Sequence, residues 1–172
     1  MPFQFAPLGR EEMERFVGAR QLDRPERRIA LAAGSPGVAI SLDLDAYDKR
    51  RAAMLALLKV AAGAAPFSAW VPVSESLARS KSEKLEFHLK VLYDLLRDVL
   101  LLANGGTEIR NQDIRAELEP LAARIQFEWL RRAVARIDEL VQLVRRNIQK
   151  TIALDALIIE LRGLGMGAGG RE

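Results

Sequence analysis

An all-α fold is what this sequence predicts, and three observations carry that expectation. Residues 126–148 place Phe127, Leu130, Val134, Ile137, Val141, Val144 and Ile148 at alternating steps of three and four, the period of a helix and not of a strand. The stretch "KLEFHLKVLYDLLRDVLLLANGG" is a long apolar run of helix formers that stops at Asn104-Gly105-Gly106, a helix-ending signal. The one strand-like segment, "PFQFAP" at the start, has nothing of its own kind to pair with.

Each element follows in order. Residues 9–20 put Met13, Phe16 and Val17 on one face, with acids in the first turn where they suit the helix dipole. A second short helix is expected from Arg24 to Ala33, with Pro25 in its first turn. Ser35 reads as an N-cap with Pro36 at the first helical position. Asp43 and Asp45 are alternative caps for a helix over roughly residues 45–63, which carries Met54, Leu55, Leu57 and Leu58 and ends at Gly63. Residues 65–82 are broken by Pro66 and Pro72 into one or two short helices. Ser80 and Glu83 have the spacing of a capping box for the long apolar helix. A shorter helix follows Asn111 and is expected to break near Pro120. The seam of residues 126–148 then faces a core, and a last helix spans about 151–162 before a glycine-rich tail.

Composition narrows the function classes. Half of the 172 residues are apolar (49%) and 28% are charged, the balance of a globular chain able to bury a sizeable core. The richest apolar run, Val99 to Ala103, is far shorter than the roughly 18–20 residues that cross a bilayer. No membrane partner is therefore expected. The absence of cysteine excludes disulfides and thiolate metal sites and suits a reducing cytoplasm. Net charge is +3 and the isoelectric point about 9.5, but the arginines alternate with acids, as in "RRAVARIDELVQLVRR". Such a surface neutralises few phosphates at once, and two tyrosines and two tryptophans offer little for stacking on bases.

No chemistry stands out among the candidate sites. Gly34-Ser35-Pro36-Gly37 has the look of a phosphate-binding turn, yet it lacks the lysine and the spacing of a P-loop and follows a helix. His88 is the only histidine, which excludes a histidine-rich metal cluster. Glu83 with Glu86, or Asp94 with Asp98, places two carboxylates on one helix face, without the repeated Glu-x-x-His of a di-metal bundle. The chain is thus expected to hold no catalytic residue, cofactor or metal. The last helix carries the remaining candidate. Thr151, Asp155 and Arg162 form a polar stripe, and Ile158 falls within it; with Leu154 and Leu161 it makes a small apolar strip expected to bind a partner protein.

Taken in order, these features resemble one family. An extended "FQFAPL" precedes three short helices, "GSPG" opens the third, and a long helical bundle follows. Within the bundle come Arg97-Asp98 in a leucine-rich helix, then Asn111-Gln112-Asp113, then Asn147 before the last apolar helix. This order is similar to the C-terminal part of delta-prime subunits of the bacterial DNA polymerase III clamp loader, over essentially all of residues 3–162. The resemblance implies that residues 1–43 are the end of an ATPase-like domain plus a three-helix AAA+ lid. Residues 44–165 would be a helical collar and 166–172 a flexible tail, with the ATPase-like domain upstream. In ATP-hydrolysing relatives the turn reads Gly-Ser-x-Arg; here Gly37 stands at the arginine position, which implies a non-hydrolysing subunit. The implied partners are the gamma/tau and delta subunits, with DNA and the sliding clamp met only through the whole complex. Two rival readings are a gamma/tau subunit and a free-standing helical adaptor.

Overall fold

The computed structural model describes residues 6–80, 83–144 and 149–166. Among them are nine α-helices and no strand: α1 Arg10–Ala19, α2 Pro25–Ala32, α3 Pro36–Ser41, α4 Leu44–Ala61, α5 Val71–Arg79, α6 Leu85–Ala103, α7 Arg115–Arg124, α8 Phe127–Val144 and α9 Lys150–Met166. Two 3-10 turns, Phe67–Ala69 and Gln112–Ile114, precede α5 and α7. The all-α expectation holds. Most of the strand-like opening, Asn147 and nearly all of the tail lie outside the described residues.

The local start and stop signals form where the sequence places them. The Ser35 hydroxyl accepts from the Val38 amide at 3.4 Å, and of the two alternative caps Asp43 is the one used, accepting from the Ala46 amide at 3.0 Å. At the end of α6 the Gly106 amide reaches back to the Leu101 carbonyl at 2.8 Å and the Gly105 amide to Leu102 at 3.0 Å. Gly105 sits at φ +77°, so a side-chain-bearing residue there would be strained in the left-handed region.

Two capping and breaking signals act otherwise than expected, for identifiable reasons. Ser80 and Glu83 do not cap α6, which starts at Leu85 after Lys84. The Glu83 carboxylate instead accepts from Arg50 Nε at 3.1 Å and Nη2 at 2.9 Å. Pro120 does not break α7, which runs through it. Ala116 and Pro120 are both exposed, so the carbonyl left without an amide partner faces water.

Helices α4 to α9 share one apolar interior. The central element is α6, buried on most of its circumference and packed against α4, α7 and α8, while α9 packs on α4, α5 and α8. In α8 the buried residues are Trp129, Leu130, Ala133, Ile137 and Leu140, whereas Phe127 and Val134 of the predicted seam are exposed. A strict alternation of three and four suits a supercoiled pair. Here Leu130, Ala133, Ile137 and Leu140 keep steps of three, four and three, but the buried face of α8, packed on α6 and α9, is turned by one residue from the predicted seam, away from Phe127 and Val134 and toward Ala133 and Leu140. Helices α1–α3 have a separate small interior of Met13, Val17, Ala32 and Ala39. From this three-helix unit Leu31 reaches the bundle interior, with Leu42 of the α3–α4 connection packed against it.

Candidate functional site

The sequence directs attention first to α9, and there the structure corrects the reading. Leu154, Ile158 and Leu161 are 0%, 0% and 1% exposed. They are interior residues of the bundle, so the exposed strip built on them does not exist. The polar stripe misled because its Asp155 and Arg162 face α5 and the segment before it and not water. Asp155 accepts from the Trp70 indole at 2.6 Å and the Ser74 hydroxyl at 3.2 Å, and Arg162 donates to the Ala65 carbonyl at 3.3 Å. The outward face of α9 carries Ile152 and Ile159, 59% and 62% exposed, with Ala156 between them.

Of the carboxylate pairs, Glu83, Asp94 and Asp98 are committed to structural contacts. Glu83 holds Arg50, whose guanidinium lies 5.0 Å above the Phe87 ring, and stands 3.4 Å from His88 Nε2, while Glu86 is exposed. His88 is buried, and burial holds its pKa below the usual imidazole value. No grouping of metal-ligating side chains occurs among the described residues. The Gly34 turn is filled from the other side of the chain. The Leu8 amide donates to the Gly34 carbonyl at 2.8 Å, and a Cβ at Gly34 would meet the Leu8 carbonyl oxygen at 2.7 Å. The segment that precedes α1 thus packs directly against that turn.

The most organised polar centre lies between α6, α4 and the segment after Gly106. Its anchor is Asp98, fully buried on α6. One carboxylate oxygen accepts from the Arg110 amide at 2.9 Å; the other accepts from the Asn111 amide and side-chain nitrogen, each at 2.9 Å. Asn111, equally buried, uses its Oδ1 to accept from the Tyr47 hydroxyl and from Arg51 Nη1, both at 3.1 Å. Arg51 forks onto Asp113 with two bonds of 2.7 Å and stands 3.1 Å from Asp48. A fork of this geometry is a strong, directional contact.

Electrostatics follow from that wiring. Burial raises the Asp113 carboxyl, but the Arg51 fork and the charges of Arg51 and Arg27 outweigh it and leave its pKa below the usual value. The Arg27 hydrogen bonds hold Asp48 low as well. Asp94, one turn before Asp98, is raised, because burial exceeds the pull of its partner Arg110. Every buried side-chain nitrogen and oxygen among the described residues has a partner. The network therefore fixes the position of the segment after α6 against α4 and α6.

This centre joins the residues that carried the resemblance: Asp98, Asn111 and Asp113 converge, with Arg97 3.4 Å from Asp98 at the edge. Sequence order singles these out but gives no hint of Tyr47 or Arg51, which arrive from α4. A family model described as the C-terminal domain of the DNA polymerase III delta subunit matches residues 45–163. The chain belongs to that family. The matched span runs from the first turn of α4 into α9 and leaves α1–α3 outside it. Membership gives the chain the role of a DNA polymerase III clamp-loader subunit. Comparison with curated proteins and with solved structures finds no match. None of the described helices is long and apolar enough to cross a membrane.

Proposed function

We propose that this chain is the C-terminal part of a delta-prime-type subunit, a non-hydrolysing member of the clamp loader. In this reading α1–α3 are the AAA+ lid and the bundle is the collar, which assembles in the cytoplasm with gamma/tau and delta so that the complex loads the sliding clamp onto primed DNA. The family match over the bundle supports the clamp-loader role, and the order of Arg97-Asp98 and Asn111-Gln112-Asp113 supports the delta-prime type. Gly37 favours delta-prime over an ATP-hydrolysing subunit, because no guanidinium reaches a phosphate from that position. The chain itself performs no reaction and binds no nucleotide.

A second reading, the delta subunit itself, is favoured by the description of the matching family. Reconstitution separates the two. Purified gamma/tau and delta are mixed with the chain in the absence of delta-prime, and gamma/tau and delta-prime are mixed with it in the absence of delta. Incorporation on size-exclusion chromatography only in the first mixture supports delta-prime, and only in the second supports delta. Exclusion from both overturns the assembly role. Titration calorimetry with ATP and magnesium is expected to show no heat beyond dilution, and micromolar binding refutes the non-nucleotide reading.

A further inference from the structure

The three-helix unit and the bundle have separate interiors, and little apolar surface joins them. Leu31 and Leu42 are the residues of the unit and its connection that pack against the bundle interior. The covalent link between Ser41 at the end of α3 and Leu44 at the start of α4 is two residues long. Charge makes up the rest of the joint. Arg24 and Arg27, three apart on and just before α2, face Asp45 and Asp48, three apart on α4. Arg24 Nη1 donates to Asp45 at 2.9 Å, and Arg27 forks onto Asp48 at 2.9 and 2.5 Å. The matched spacing puts two rungs in register along facing helix surfaces. The Arg27 rung continues inward: Arg27 Nε lies 3.8 Å from Asp113, which Arg51 ties to the buried Asn111.

From this we infer that the Arg24–Asp45 and Arg27–Asp48 rungs are a salt-sensitive latch that sets the angle of the three-helix unit over the bundle. Released, the unit turns about Leu42–Asp43 while both interiors stay folded. The latch is suited to this because its groups reach solvent: the Arg27 and Asp48 side chains are 24% and 34% accessible, and those of Arg24 and Asp45 40% and 78%. Added salt therefore weakens them, whereas a pair sealed in the interior is screened far less. Arg28 stabilises the pivot. It is buried and donates to the Ala39 and Leu42 carbonyls at 2.9 and 2.8 Å, holding the end of α3 and the connection together as the unit moves. The inference does not depend on which clamp-loader subunit the chain is.

The absence of native cysteine allows a direct test on the full chain. Spin labels at Ala19→Cys on α1 and Glu86→Cys on α6, both exposed, report the distance between unit and bundle by pulsed electron resonance. One narrow distribution is expected at low salt. It should at least double in width at about 1 M sodium chloride, where the screening length falls to about 3 Å. Arg27→Gln should broaden it equally at low salt, with helical circular dichroism unchanged. Arg24→Asp alone should also broaden it, and Arg24→Asp combined with Asp45→Arg should restore the narrow peak. A distribution that stays narrow in salt and in Arg27→Gln overturns the latch in favour of the apolar seam at Leu31. Loss of helical signal in Arg27→Gln likewise overturns it, by making Arg27 part of the fold itself. The salt series on the otherwise unsubstituted labelled chain tests the latch without relying on either variant.

Discussion

The bundle and the three-helix unit treat charge in opposite ways. The bundle takes Asp98 and Asn111 out of water altogether and satisfies every polar atom with amides and side chains from α4 and the segment after α6. The unit keeps Arg24 and Arg27 at the boundary, where they meet acids of α4 in pairs that reach solvent. A buried network of this kind is unforgiving, because loss of one partner strands the others in a medium that cannot replace it. A half-exposed pair loses little when broken, since water takes the place of the partner. The contrast teaches that the bundle is built to hold one shape and the joint to be adjustable.

The largest effect should come from charging the bundle interior. Ile158→Asp places an unpaired carboxylate among Leu154, Leu161 and the α4 leucines, and is expected to cost about 4 kcal/mol or more. Its neighbour Ile159 points outward, so Ile159→Asp should stay within about 0.5 kcal/mol. Urea unfolding followed by tryptophan fluorescence is a bundle-specific readout, since Trp70 and Trp129 are the only tryptophans and both lie in it. Equal effects at the two positions would mean that the faces of α9 are wrongly assigned.

Those adjacent isoleucines also show what was legible in the sequence. Signals whose hydrogen bonds close within a few residues are legible: the Ser35 and Asp43 caps and the Asn104-Gly105-Gly106 stop. Signals settled by distant partners are not. The polarity of Asp155 suggests a solvent face because its partner Trp70 lies 85 residues away in the chain. The Ser80–Glu83 spacing suggests a cap because Arg50, which takes Glu83, comes from α4. In the polar centre, sequence order picks out Asp98, Asn111 and Asp113. Arg51 and Tyr47 are invisible to it, being 60 and 64 residues from Asn111. Helical period gives the width of an apolar face, but a polar residue marks the outside only where no partner waits within.

The next effect in size concerns the anchor. Asp98→Ala strands two backbone amides, the Asn111 side-chain amide and, through it, the arrangement of Arg51. The expected loss is about 3 kcal/mol, in the range for removing one partner of a buried charged network. Asp98→Asn should do less damage, because the carboxamide oxygen still accepts from one side while its amino group opposes a donor on the other. If Asp98→Ala melts within a degree or two of the unsubstituted chain, the network is ornament and the contrast between bundle and joint fails.

The smallest effect, and the sharpest for the comparison, is the response to acid, because the two regions should move in opposite directions. Asp48 at the joint and Asp113, which Arg51 holds at the edge of the polar centre beside Arg27, have folded pKa values below the ordinary carboxylate value. Such groups bind fewer protons folded than unfolded, so their contribution is complete above about pH 3.9 and is lost as pH falls through the lower folded values. Asp94 in the bundle is raised by burial. It binds more protons folded than unfolded, so its cost is relieved as pH falls through its folded value toward about 3.9. Both carboxylates are about a third accessible, so their effect is further reduced by solvent. The test compares the chain with Asp94→Asn by urea unfolding between neutral pH and pH 4. The contribution of buried His88, which weakens the bundle below about pH 6.5 because its folded pKa is lowered, is common to both and cancels in the difference. The unsubstituted chain should gain stability relative to Asp94→Asn on acidification, while the spin-label distance across the joint stays narrow until the pH drops below about 4 and then broadens. A difference that runs the other way would show that the Arg110 pair, and not burial, governs Asp94. Broadening of the joint already at pH 5 would show that Asp48 and Asp113 are not held low by their arginines, and would remove the ionic basis of the contrast.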